Sequence, residues 1–356
     1  LSLVIPRAAS DAITGTTTLT VELKDNAEPL VIDFETTRDH VESVVANGVS
    51  TDFDYVNGHI VVPTAALEVG RNALEIAFVA GDDPLNRGPV FMYALFVPAR
   101  ARLAIPCFDQ PDLKARWTLS LVYPDGWKAV SNGNEAPAGG GAGRPPSGDE
   151  PGVPPGVSRV SFVETEPLPT YLFSFVVGDF EVERAMRNGR AFRMFHRETD
   201  AAKVGRNREA LFDLHAAALE YMERYTGIPY AFGKFDFVLI PAFQFGGMEH
   251  AGKILYDASR LLLDESATLD QELGRASIIA HETAHMWFGD LVTMRWFDDV
   301  WMKEVFANLM AAKIVNPSFP QVDHELRFLL AHYPAAYGVD RSAGANPIRQ
   351  PLVNVD

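Results

Sequence analysis

Short apolar runs broken by turn formers fill the first half of the chain, and longer helical periodicities fill much of the second. Residues 17–23, 31–34, 59–62, 73–78, 117–123, 160–163 and 171–177 read as strands, separated by polar turns such as Asn57-Gly58 and Gly81-Asp82-Asp83. The tract 135–156, with Gly139-Gly140-Gly141, holds too few apolar residues to pack and reads as a mobile hairpin loop. Around Gly178-Asp179-Phe180 the texture changes. Ala210, Leu211, Leu214, Ala217, Ala218, Tyr221 and Met222 then recur at helical spacing over 206–225, and Thr226-Gly227 with Pro229 stops that helix. Phe235, Phe237 and Leu239 alternate along a strand at 235–240 that leads into a glycine-rich loop or edge strand, Gly246-Gly247-Met248-Glu249-His250. The pattern predicts a β domain over 1–183 and a mixed α+β domain over 184–356.

The second domain carries the chemistry. His281-Glu282-Thr283-Ala284-His285 lies in a helical stretch, with Ala276, Ile278, Ile279, Ala280 and Met286 at helical spacing. Histidines at i and i+4 share one helix face, so both imidazoles can reach one ion, and Glu282 sits beside them as a general base. A catalytic zinc needs a third protein ligand and an open position. Glu304 is the best candidate: the helix ends at Gly289-Asp290, and a second helix capped by Asp298 and Asp299 runs through Val300, Trp301, Val305, Phe306 and Leu309. A short connection makes the two helices antiparallel neighbours and returns Glu304 towards the histidines. Asp290, Asp298 and Asp299 are rival oxygen donors that spacing alone does not separate from it.

These residues resemble the zinc site of the gluzincin aminopeptidases, the aminopeptidase N family, with eighteen residues between His285 and Glu304 and a similar intervening text, HMWFGDLVTMRWFDDVWMKEVFAN. Gly246 to His250 is similar to that family's G-x-M-E-N exopeptidase motif, and Pro106-Cys107-Phe108-Asp109-Gln110-Pro111 to a turn in its N-terminal domain. The resemblance implies an all-β, saddle-like N-terminal domain followed by a thermolysin-like zinc metallopeptidase domain. It assigns His281, His285 and Glu304 to one Zn2+, Glu282 to general-base catalysis through a zinc-activated water, and Gly246, Gly247, Met248, Glu249 and His250 to substrate binding. Glu249 would hold the free α-ammonium of a peptide, and the glycines would bracket its backbone.

Departures accompany the likeness. His250 stands where the family usually has Asn, Lys303 where Asn is common, and Val305 where Gly is usual. Ala94-Leu95-Phe96-Val97-Pro98 lacks the Gln or Glu that serves the family as a second amine anchor. The family's oxyanion tyrosine and helical C-terminal domain fall beyond Asp356, and Tyr333 and Tyr337 come too early, so the expectation is a C-terminally incomplete catalytic domain. The reading is a zinc aminopeptidase, against two others: a zinc-fold binding protein without turnover, and a zinc hydrolase acting on something other than peptide N-termini.

Composition trims this picture. With 47% hydrophobic and 22% charged residues the chain is globular and long enough for two domains, and a net charge of -16 argues against nucleic acid. The single cysteine, Cys107, excludes an intrachain disulfide, and no run of eighteen apolar residues predicts a membrane span. LSLVIPRAAS lacks the basic region and apolar core of a signal peptide. The expectation is a soluble protein, cytoplasmic or exported after loss of a leader, with the compartment open. His40, His59, His196, His215, His324 and His332 lack ligand spacing and read as structural or surface.

Overall fold

Thr14–Leu23 and Gly70–Val79 pair antiparallel along their whole length, Thr14 opposite Val79 and Leu23 opposite Gly70. Asn72, Leu74, Ile76 and Phe78 turn inward while the residues between them face outward, the period-two pattern of a half-buried strand. In the computed structural model, which describes residues 1–137 and 155–353, these strands form the middle of a seven-stranded sheet. Its order is Val157–Phe162, Leu119–Pro124, Ser2–Val4, Thr14–Leu23, Gly70–Val79, Val41–Ala46 and Val49–Ser50. A four-stranded sheet (Lys128–Ser131, Phe175–Gly178, Phe91–Ala94, Leu85–Arg87) and a three-stranded one (Leu30–Asp33, His59–Val62, Asp54–Val56) complete this unit, Leu1–Asp179. Phe34, Phe78, Phe96, Phe173 and Phe175 belong to one buried core.

The Pro-bounded turn at 106–111 is a structural knot. Cys107 and Asp33 exchange backbone hydrogen bonds, and the Asp33 carboxylate accepts from the Asp109 amide at 2.8 Å and from Gln110 at 2.9 Å. Buried Asp109 accepts in turn from the Arg102 amide and the Thr170 hydroxyl.

Phe180–Asp356 forms the second unit. Its sheet runs in the order Glu181–Arg187, Arg190–His196, Phe235–Ile240, Lys253–Asp257, Gly247–Met248. The outer pairs are antiparallel and the two inner ones parallel. The expected domain boundary after residue 183 needs correcting. It would cut through Glu181–Arg187, which is held by its hairpin partner Arg190–His196 in the second unit, so the division falls at Asp179/Phe180. All six residues of Phe235–Ile240 are buried, because a strand paired in parallel on both sides has both faces covered. Asp236 survives there through Arg193 and Lys234, at 2.7 and 2.6 Å.

Helix α1 (Ala201–Thr226) starts a turn earlier than its apolar spacing suggests, because the Asp200 side chain caps the Ala202 and Lys203 amides. Helices α2 (Ala258–Leu261), α3 (Leu269–His285), α4 (Val300–Val315) and α5 (His324–Asp340) follow. Among the described residues no helix is long and apolar enough to cross a membrane. The strand expected over 171–177 is shorter: Thr170–Leu172 is a 3-10 turn, and pairing begins at Phe175. Most of the glycine-rich tract expected as a hairpin loop at 135–156 lies outside the described residues.

Candidate metal centre

Helix α3 is anchored at its start by a capping box. The Thr268 hydroxyl accepts from the Gln271 amide, and the Gln271 side chain accepts from the Thr268 amide. The helix packs on α1 and most extensively on α4, and places His281 and His285 one turn apart at its C-terminal end. Gly289, at φ +141°, starts the reversal towards α4, with its amide bonded to the Val292 carbonyl. The return then brings Glu304, in the second turn of α4, opposite the two histidines.

The three side chains converge. His281 Nε2 and His285 Nε2 are 3.0 Å apart, and Glu304 Oε2 lies 3.4 Å from the first and 3.6 Å from the second. Donors bound to one ion at about 2.0–2.2 Å with tetrahedral angles stand roughly 3.3–3.5 Å from each other. The outer ring nitrogens are already committed: His285 Nδ1 donates to the Phe288 carbonyl at 2.9 Å, and His281 Nδ1 to Asn308 Oδ1 at 3.1 Å. A neutral imidazole donating from Nδ1 presents a lone pair at Nε2. Two such lone pairs and a carboxylate oxygen therefore point at a common centre, a repulsive arrangement that a small divalent cation makes attractive. The residues fit such an ion. The His285 side chain is 1% exposed, His281 20% and Glu304 43%, so the cluster has one open side.

Glu304 divides its oxygens. Oε2 faces the histidines, whereas Oε1 takes Lys303 Nζ at 2.7 Å. Burial pushes its carboxyl up, but in the ion-free cluster a proton on a facing imidazole and the Lys303 charge outweigh this and hold it far below the usual range. The rival donors are engaged elsewhere or sealed off. Asp298 and Asp299 pair with Arg349 at 2.7 and 2.8 Å, and Asp290 is fully buried outside the cluster. That pairing also corrects the expected cap on α4. Residues Phe297–Asp299 form a 3-10 turn, and neither aspartate side chain caps the helix because Arg349 holds both.

Glu282 is 4% exposed, and its pKa is pushed up to about 8, chiefly by burial, against the His281 charge and with help from Glu249. The edge strand Gly247–Met248 packs on it. A β-carbon on Gly247 would stand 2.6 Å from Glu282 Cγ and closer still to the carboxylate, so only glycine permits this approach. One on Gly246 would meet Ile278 of α3 at 2.7 Å. The Gly246 carbonyl accepts from the Asp257 amide, Gly247 and Met248 pair with Tyr256 and Leu255, and Met248 is buried. No strand among the described residues covers the outer edge of Gly247–Met248. Buried His250 closes the following turn, its amide on the Met248 carbonyl and its carbonyl on the Lys253 amide.

Glu249 is 3% exposed, with a carboxylate oxygen within 4.8 Å of ligand atoms of both Glu282 and His285. Its nearest cation is Lys303, whose Nζ contacts Glu249 Oε1 at 2.5 Å. Burial raises this carboxyl and the lysine lowers it more, to about 2. Reading by motif misses this contact, because its partners are 54 residues apart and on different elements. The Thr268-x-x-Gln271 box is also missed, although it is a local signal.

Comparison with known proteins agrees with the geometry. Residues 2–172 match the model of the peptidase M1 N-terminal domain, and 211–356 that of the peptidase family M1 domain. Probable aminopeptidase 1 of Sulfurisphaera tokodaii is 31% identical over 349 residues, covering 92% of this chain and 40% of that protein. Leucyl aminopeptidase of Saccharolobus solfataricus is 32% identical over 253 residues, 71% of this chain and 30% of that one. Endoplasmic reticulum aminopeptidase 1 of Mus musculus is 34% identical over 263 residues, 73% and 26%. The chain thus spans at most about two fifths of the length of these relatives. With both domain models matched in order, and a His-His-Glu cluster folded within the second, the chain belongs to peptidase family M1.

Proposed function

We propose that this chain carries the working core of a zinc aminopeptidase, which hydrolyses the N-terminal residue from peptides. The observation that carries the reading is the convergence of His281 Nε2, His285 Nε2 and Glu304 Oε2 at 3.0–3.6 Å, beside a buried carboxylate, Glu282. Two imidazoles and one carboxylate with an open side suit Zn2+. The aminopeptidase names of the relatives support the reaction class. When bound, zinc supplies Lewis acidity beside the scissile carbonyl and lowers the pKa of water there.

The chain's own residues do the rest. Glu282 takes a proton from the attacking water as its oxygen bonds to the carbonyl carbon. It then passes that proton to the peptide nitrogen as the C–N bond breaks, releasing an amino acid and a shortened peptide. Gly247–Met248 offers an open strand edge on which a peptide backbone can lie. Met248 and His250 fix the turn that sets Glu249 beside the site, and Glu249 receives the α-ammonium.

The test is hydrolysis of a leucyl reporter with a free amine by the zinc-loaded chain. Turnover should vanish on chelation, return with zinc, and fall at least a thousandfold in Glu282→Gln with zinc content unchanged. Turnover that survives in Glu282→Gln would overturn the reading.

A further inference from the structure

Lys303 is the cation of the site. Its side chain is 9% exposed and sits between two carboxylates, Glu249 Oε1 at 2.5 Å and Glu304 Oε1 at 2.7 Å. It immediately precedes Glu304 in α4, about 100° round the helix, and its long side chain carries Nζ back to both carboxylates. Glu249, the anion that the proposed reaction assigns to the substrate's ammonium, thus already has an ammonium from within the chain. A second one must share the carboxylate, at a cost in like-charge repulsion, or displace the first. The retreating lysine has a place to go, because it also contacts Glu304.

We propose that Lys303 is a specificity-determining residue that competes with the substrate's α-ammonium for Glu249. This inference rests on the aminopeptidase reading for the role of Glu249, and on the observed ion pairs for the competition. Lys303 does not take part in bond making or breaking. Its effect is on the affinity for a free N-terminus: it weakens amine binding and leaves the binding of an uncharged N-terminus untouched. It also ties the amine anchor to the oxygen of Glu304 that faces away from the histidines, so an incoming ammonium shifts the lysine wholly onto that oxygen.

The experiment measures binding of L-leucinamide and of N-acetyl-L-leucinamide by calorimetry to the wild-type chain, Lys303→Asn and Lys303→Arg. Each is measured metal-free and again with one zinc per chain, checked by elemental analysis, with thermal melts to show that every variant is folded. Lys303→Gln replaces Lys303→Asn should the latter not fold. Lys303→Asn should bind leucinamide at least tenfold more tightly than wild type, with the acetylated twin unchanged, and Lys303→Arg should behave as wild type. In the active chain the same gain should appear as a lower KM with little change in kcat. Leucinamide affinity that is unchanged, weaker or undetectable in Lys303→Asn overturns the proposal, as does equal tightening of the acetylated twin. Loss of turnover in every form would count against the aminopeptidase reading alone, because the binding arms do not depend on catalysis.

Discussion

Gly247 lies against the carboxylate of Glu282 with no room for a methyl group between them. The edge strand and the metal helix are therefore fitted to each other at the proposed general base. Gly247→Ala should push the Glu282 side chain aside without touching a metal ligand. A displacement of about 1 Å in a reacting group can cost on the order of a hundredfold. We expect kcat to fall ten- to a hundredfold while zinc content and melting temperature stay close to wild type. A kcat within twofold of wild type would show that Glu282 is not held by this contact.

Asn308 holds the outer nitrogen of His281 at 3.1 Å. Removing such a partner lets the ring rotate and lose basicity, which typically weakens metal binding about 10–100-fold. Asn308→Ala should show that loss in competition with a chromogenic chelator. Phe288 does the same for His285 through its carbonyl, so its side chain can be changed without this effect.

His215 of α1 is fully buried. Its Nδ1 donates to the Leu211 carbonyl, its Nε2 faces the Tyr256 hydroxyl at 3.1 Å, and its ring stacks on Phe237. Burial pushes its pKa down to about 4 from an ordinary 6.5. Above pH 6.5 neither state binds the proton. Between 6.5 and 4 the unfolded chain binds it and the folded one does not, so stability drops by up to roughly 3 kcal/mol as the pH is lowered through this window. Denaturant titrations of metal-free wild type and His215→Gln at pH 7 and 4.5 should show the smaller acid loss in the variant. Equal losses would remove His215 from the acid response.

The capping box on α3 gives a further check. Thr268→Ala leaves the Gln271 amide without its hydroxyl partner and should cost about 1 kcal/mol, a shift of roughly 2–4 °C in Tm if the unit melts as one transition. The metal cluster lies at the other end of α3, so zinc affinity should not change.

Local periodicity explains how much of this could be read in the sequence. His281, Glu282 and His285 are related by one helical turn, and Glu304 by a second helix joined through a short reversal, so spacing carries their geometry. Glu249 and Lys303 have no such relation, and only the folded chain shows that they meet. Arg349 is similar: it holds Asp298 and Asp299, which in isolation look like helix caps. The strands at Phe91–Ala94 and Lys253–Asp257 are almost wholly buried and lack the alternation that marks a half-exposed strand. Glu181–Arg187 and Arg190–His196 are marked instead by their turn. Asn188 and Gly189 both have positive φ, 49° and 75°, the conformation that an Asn-Gly hairpin turn requires.

The tie between His281 and Asn308 spans 27 residues, and that between Glu249 and Lys303 spans 54. Loop-closure entropy grows only slowly with such lengths, and these are short ones. The reactive cluster is thus assembled from one contiguous stretch of polypeptide, and ordering the reversal at Gly289 orders its ligands together. During refolding, metal capture should accompany the docking of α4 on α3. In native-state hydrogen exchange, the amides of these two helices should gain protection as one cooperative block when zinc is added.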